Sequence, residues 1–188
     1  MKKSSTPITL IDFLQKRAQA EPSRHPYSYM MDGEGDAVHI NYGEFYRDVQ
    51  TIAAQLQSRN IHGERALLLY SPGIKFLKAF LGCLYAGVIA VPAYPPRLKR
   101  PSPWIESIVS SAQPCIVLSE ETIHNNQLRR STAALTGIDW LLTDQLDSPE
   151  QCDPFSRIKP ETVAYLQYTS GSTTALFGSV SPRRSPYN

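Results

Sequence analysis

Apolar positions in this chain recur first at helical spacing and then in short unbroken runs, and the two patterns alternate. Leu10, Phe13, Leu14, Arg17 and Ala18 follow at three-and-four intervals behind Thr9-Leu10-Ile11-Asp12, whose ends have the spacing of a capping box. A first helix is expected there, stopping before Pro22. Residues 27–31 and 38–40 flank Asp32-Gly33-Glu34-Gly35, which supplies the positive-φ positions a hairpin needs. Asn41-Tyr42-Gly43-Glu44 can cap a second helix, in which Phe45, Val49, Ile52, Ala53 and Leu56 form one apolar stripe.

Beyond His62-Gly63 the pattern changes. Residues 65–70 are a nearly continuous apolar run, as expected of a strand buried on both faces. Ser71-Pro72-Gly73 turns the chain into a helical pattern of Phe76, Leu77, Phe80, Leu81 and Leu84, which Gly87 is placed to end before a strand begins at 88–91. Two further units follow: Trp104, Ile105, Ile108 and Val109 lead to a strand at 115–118, and residues 123–135 lead to one at 138–143. A last strand is expected at 163–169. The alternation predicts an α/β fold, a mostly parallel sheet flanked by helices and joined by right-handed crossovers. Pro92, Pro95, Pro96, Pro101 and Pro103 make a stiff surface connector carrying Arg97, Lys99 and Arg100 as solvated charges. Residues 147–159 read as a loop, and no internal repeat appears.

Composition narrows the partners. With 188 residues, 41% of them hydrophobic, one domain could bury roughly 70% of its unfolded surface. A net charge of +2 gives no long-range field of the kind nucleic acid requires, so no nucleic-acid partner is expected, and Arg183-Arg184 reads as a solvated end. Cys83, Cys115 and Cys152 stand apart, with no Cys-x-x-Cys and no histidine at ligand spacing, so no metal site is expected. They read as free thiols, Cys83 and Cys115 as small core residues, which suits a reducing cytoplasmic location. The run after Lys2-Lys3 is broken by Asp12, Gln15, Lys16 and Arg17, unlike a secretion signal. The uncharged stretch 79–94 falls short of a transmembrane span and contains Pro92. His25, His39, His62 and His124 are scattered and read as surface or loop residues.

The chemistry concentrates in Leu166-Gln167-Tyr168-Thr169-Ser170-Gly171-Ser172-Thr173. Thr169, Ser170, Ser172 and Thr173 offer hydroxyl donors, and Gly171 lets the backbone curl so that several N–H groups can face one anion. An ordinary Ser/Thr/Gly turn has the same composition, which leaves both readings open. The position favours a ligand loop, because open α/β sheets bind ligands beyond the carboxyl ends of their strands. Neither dinucleotide-binding nor P-loop glycine signatures occur, and there is no Gly-x-Ser-x-Gly nucleophile elbow.

Tyr-Thr-Ser-Gly-Ser-Thr resembles the phosphate-binding signature of the acyl-adenylate-forming ligases, the AMP-dependent synthetase and ligase superfamily. With Leu-Gln in front it is most similar to the fatty acyl-AMP ligase branch. Residues 65–73 and 79–92 extend the likeness, which runs from about Thr9 to Thr173. In the second stretch, Gly82, Ala86 and Gly87 permit close packing of a helix on the sheet. The resemblance implies an incomplete N-terminal subdomain of an acyl-adenylating enzyme. A fatty carboxylate attacks the α-phosphate of ATP, pyrophosphate leaves, and the acyl group passes to the phosphopantetheine thiol of an acyl carrier protein. An acyl-CoA ligase fragment is one alternative; a non-catalytic nucleotide- or carrier-protein-binding module is another.

By the same resemblance Thr169, Ser170, Gly171, Ser172 and Thr173 hold the phosphates of ATP with Mg²⁺. No residue is assigned a catalytic role. The family pattern continues through Pro-Lys-Gly, where this chain has Leu176, Phe177 and Gly178 after Thr174 and Ala175. The expected organisation is therefore a partial ligase domain over 1–173, truncated after the phosphate loop and inactive alone, with 174–188 a divergent tail without fixed structure.

Overall fold

The computed structural model describes residues 9–29, 38–96, 103–128, 133–146, 152, 162–168 and 176–179. The expected turn at Asp32 to Gly35, the charges Arg97, Lys99 and Arg100, and nearly all of the 147–159 loop lie outside the described residues, as do Thr169, Ser170, Gly171, Ser172 and Thr173.

Local signals placed the first elements. In helix α1 (Leu10–Ala20), Thr9 Oγ1 accepts from the Asp12 amide at 3.1 Å, and the Asp12 carboxylate accepts from the Thr9 amide at 2.8 Å, completing the capping box. Its buried stripe is Ile11, Leu14 and Ala18, so Leu10 and Phe13 are turned outward, unlike the stripe expected from the sequence. Strands β1 (Tyr27–Tyr29) and β2 (Val38–Ile40) pair antiparallel, Ser28 opposite His39. Helix α2 (Tyr42–Gln57) starts at Asn41, whose Oδ1 accepts from the Glu44 amide at 2.8 Å. Phe45, Val49, Ile52, Ala53 and Leu56 are all buried, as their spacing predicts.

The larger sheet contains β3 (Arg65–Leu69), β4 (Ile89–Ala93), β5 (Ile116–Ser119), β6 (Asp139–Leu142), β7 (Val163–Gln167) and β8 (Leu176–Ser179), in the order β6-β5-β3-β4-β7-β8. The first five run parallel, and β8 pairs antiparallel with β7. Helices α3 (Ile74–Ala86) and α4 (Pro103–Ala112) follow β3 and β4. The chain moves one way from β3 to β4 and back across β3 to reach β5, so right-handed crossovers put α3 and α4 on opposite faces. The cores agree: Ala66, Leu68 and Ala90 pack with α1, α2 and α3, whereas Leu67, Leu69 and Val91 pack with Ile105, Ile108 and Ala112 of α4. Of the expected 123–135 segment, the described residues form α5 (Glu121–Leu128) and a 3₁₀ turn at Ala133–Leu135.

This winding reverses between β3 and β5, and such a switch point ordinarily leaves a ligand crevice at the carboxyl ends of the strands. Here it is filled. Tyr70, directly after β3, is only 3% exposed, and its hydroxyl meets Thr143 Oγ1 at 2.8 Å and the Ser119 carbonyl at 3.3 Å. Lys75 Nζ closes the rim on Glu120 Oε2 at 2.6 Å.

On the opposite side of α3 from the groove residues described below, α2 and α3 approach closely at Gly82. A Cβ at that position would lie 2.6 Å from Ile52 Cγ2 and 2.9 Å from Ile52 Cβ. The glycine therefore serves helix-to-helix contact, where the sequence predicted helix-to-sheet contact. Gly87 ends α3 in the left-handed region at φ 71°, as expected. We expect Gly82→Ala to force the helices apart and cost about 1–3 kcal/mol in urea unfolding. Burial pushes the Tyr70 phenol above its ordinary range. Folded Tyr70 thus keeps its proton where the unfolded chain loses it, and this contribution, present below about pH 10, is lost as the pH rises further. Tyr70→Phe should cost about 1 kcal/mol at neutral pH, and the gap from the parent should narrow by about pH 10.5 in the same assay.

Candidate functional site

Pairing between β4 and β7 is confined to Ala90 opposite Tyr165. Pro92, two residues further along β4, has no N–H to continue a ladder. Past that bridge the two strands part, and a groove of about 1180 Å³ opens at their carboxyl ends. Pro92, Ala93 and Tyr94 line one side, and Tyr165, Gln167 and Tyr168 the other. Helix α3 contributes Phe76, Leu77 and Phe80; α4 contributes Trp104, Ile108 and serines 107, 110 and 111. The sequence pattern gave Phe76, Leu77 and Phe80 helical spacing. The structure leaves them half-buried as a wall of the groove, because Ala79 and residues 81–86 occupy the buried face of α3.

The surface is therefore aromatic and aliphatic, with hydroxyls along one flank. Phe80 stands edge-on to Tyr165 with ring centroids 5.8 Å apart, and Phe76 lies 5.9 Å from Phe80. Tyr94 is 69% exposed and Trp104 38% exposed, both at the rim. Such a trough suits a flexible apolar ligand, and among the described residues no charged side chain lines it.

Gln167 and Tyr168, which line the groove, lead out of β7 directly into residues 169–173. Strand β7 stays paired up to there: Leu166 lies opposite Phe177 and Gln167 opposite Leu176. Residues 176–179, within the stretch expected to lack fixed structure, thus form β8. Eight residues separate the strands, enough for a hairpin return and too few for a crossover helix, hence the antiparallel direction. The position of the family lysine is held by Phe177, in this strand.

Other reactive groups stand elsewhere. Cys83 is buried and its thiol is pushed up by that burial. Cys115, expected in the core, is exposed: it sits in the turn ahead of β5, its amide donating to the Arg65 carbonyl at 3.0 Å. Partial burial and the Glu64 carboxylate raise its thiol as well, so neither cysteine is an activated nucleophile. The Cys152 carbonyl accepts from Tyr85 Oη at 2.8 Å and from Gln50 Nε2 at 3.3 Å, which ties the passage between β6 and β7 to α2 and α3. His25, His39 and His62 are exposed, and the His124 ring packs at a tilt against Trp140, centroids 4.7 Å apart. Among the described residues no group of three or more His, Cys, Asp or Glu could hold a metal ion, and no helix is long and apolar enough to cross a membrane.

Known proteins share this arrangement. A family profile described as AMP-binding enzyme matches residues 14–175. The medium-chain fatty acid–acyl carrier protein ligase JamA of Moorena producens is 41% identical over 174 residues, 88% of this chain and 29% of that protein. The long-chain fatty acid–AMP ligase FadD26 of Mycobacterium tuberculosis is 31% identical over 85% of this chain and 28% of its own length. Among solved structures, a fatty acyl-adenylate ligase from Legionella pneumophila, in complex with acyl adenylate and pyrophosphate, superposes with a TM-score of 0.78 at 32% identity over 92% of this chain and 30% of that one. The chain spans about 30% of the length of these relatives. With a profile match over most of its residues and the same sheet and helices as these ligases, the chain belongs to the AMP-binding enzyme family.

Proposed function

We propose that this chain is the leading part of an ATP-dependent fatty acid ligase, a fatty acyl-AMP ligase, and that it supplies the phosphate grip and one wall of the acyl site. The observation that carries the reading is that Gln167 and Tyr168, which line the apolar groove, lead in sequence directly into Thr169, Ser170, Gly171, Ser172 and Thr173. The alkyl chain lies in the groove, where each buried methylene contributes about 0.8 kcal/mol, and its carboxylate points toward the bend.

At the bend, N–H and O–H donors offset the charge that develops on the β- and γ-phosphates as pyrophosphate departs. The donor set suits phosphate oxygens. Residues 168–178 include no carboxylate, so Mg²⁺ would be held by phosphate and loop hydroxyls, where it supplies further charge neutralisation. Phe177 adds no positive charge, so phosphate binding here rests on neutral donors and the cation. The JamA likeness favours acyl transfer to a carrier protein thiol over coenzyme A. The segment holds only part of such a site, and turnover by the isolated chain is not expected.

Calorimetric titration of the 188-residue chain with Mg-ATP should give saturable heat. Phe177→Lys should tighten binding about tenfold, a gain of about 1.4 kcal/mol, and Ser170→Ala with Ser172→Ala should weaken it. No heat from parent or lysine variant would remove the reading. For the groove, decanoate titrated into Trp104→Ala should bind several-fold more weakly than into the parent, with the melting temperature unchanged; equal affinities would place the alkyl chain elsewhere.

A further inference from the structure

Tyr70 stands between two gaps in the sheet. Strand β3 pairs with β4 as far as Leu69 opposite Ala93 and with β5 as far as Leu69 opposite Ser119, so the next residue, Tyr70, lies between the ends of both neighbours. Alternation along the strand turns it to the α3 side, into the core cluster against which Phe76, Leu77, Phe80 and Tyr165 pack. All four line the groove, and so does Tyr70.

Beyond Tyr70 lies a separate compartment. Its hydroxyl is held by the Ser119 carbonyl and Thr143 Oγ1, and among the described residues neither these two nor any other residue of β5, β6 or the turn after β6 lines the groove. The groove thus reaches Tyr70 and stops there. Its two ends differ in polarity: at β7 Gln167 is exposed and carries an amide, whereas at β3 Tyr70 is buried with its polar atom engaged, two residues before Pro72. A carboxylate keeps its hydration only at the first end, which directs an alkyl tail to the second. From β7 across β4 to β3 is two strand spacings, roughly 10 Å.

We infer that Tyr70 sets the acyl chain length: its ring closes the inner end of the groove, and the terminal methyl of the longest well-bound chain abuts it. The inference rests on the reading of the groove as an alkyl site. Removing the ring would join the groove to the crevice beyond, where the polar groups keep partners of their own. Ser119 Oγ donates to the Leu69 carbonyl at 2.8 Å, and Thr143 Oγ1 to the Ser119 carbonyl at 3.4 Å. An apolar tail could therefore enter without stranding them. Tyr70 touches no reacting atom; it discriminates between chains by where it ends the space for them.

The test is a series of straight-chain carboxylates, octanoate to tetradecanoate, titrated calorimetrically into the 188-residue chain below their micelle concentrations. In the parent, Kd should fall up to about fourfold for each added methylene and level off before tetradecanoate. Tyr70→Phe keeps the ring and should level off at the same length. Tyr70→Ala should level off about two carbons later, so that tetradecanoate gains about tenfold over the parent while octanoate binds alike. Truncating a buried ring can also unfold the chain, so Tyr70→Leu, which should move the break the same way by less, and the parent series are independent checks.

A parent Kd that goes on falling through tetradecanoate, or a break at one length in the parent and in whichever truncated variant folds, would overturn the role of Tyr70 and leave the groove as the alkyl site. A truncated variant that weakens every chain length by one common factor has lost rigidity and not an end wall, which also counts against the inference. If no carboxylate binds the parent, the groove reading falls and the inference with it.

Discussion

Burial of β3 on both faces is what the rest of the molecule is arranged around. Ala66 and Leu68 point to one side of the sheet and Leu67 and Leu69 to the other, and all four are wholly buried. A strand of that kind needs a helical layer on each face. Right-handed connections supply both only if the chain leaves β3 in one direction and returns across it in the other, as α3 and α4 do. The strand order, the reversal between β3 and β5, and the flanking position of β4 all follow from that requirement.

The consequence for ligand binding lies in which carboxyl-terminal gap remains open. The reversal point is occupied by Tyr70 and its contacts with Ser119 and Thr143. The open gap lies between β4 and β7, where Pro92 offers no N–H and the strands are bridged at a single pair. An imino acid in a sheet interior is ordinarily a defect. At this place the recorded pairing of β4 with β7 stops at Ala90, and the flanks of α3 and α4 line one shared trough.

Much of the fold was legible because its determinants are local. The Thr9 and Asn41 caps, the α2 stripe and the Gly87 terminator each act within a few residues, and each is seen where its spacing put it. The hydroxyl-rich run 169–173 carries the family likeness in the sequence and lies outside the described residues. Less legible was anything set by distant neighbours. Phe76, Leu77 and Phe80 have the spacing of core residues, and only the parting of β4 from β7 turns them into a wall. Cys115 opens an apolar run, yet the turn before β5 carries it outward. Gly82 reads as a helix residue that favours close packing, and nothing local tells that Ile52 is what it meets.

By itself, then, the order of residues determined the periodicities, the caps and the alternation of strand and helix, since these depend on interactions a few positions apart. It also determined the family, through a run of small hydroxyl residues behind a β-patterned segment. Which face each helix covers, which gap stays open, and the contacts of Tyr70 with Ser119 and Thr143 were decided by tertiary structure. These join residues dozens of positions apart, and their geometry exists only once the sheet has been wound and both its faces covered.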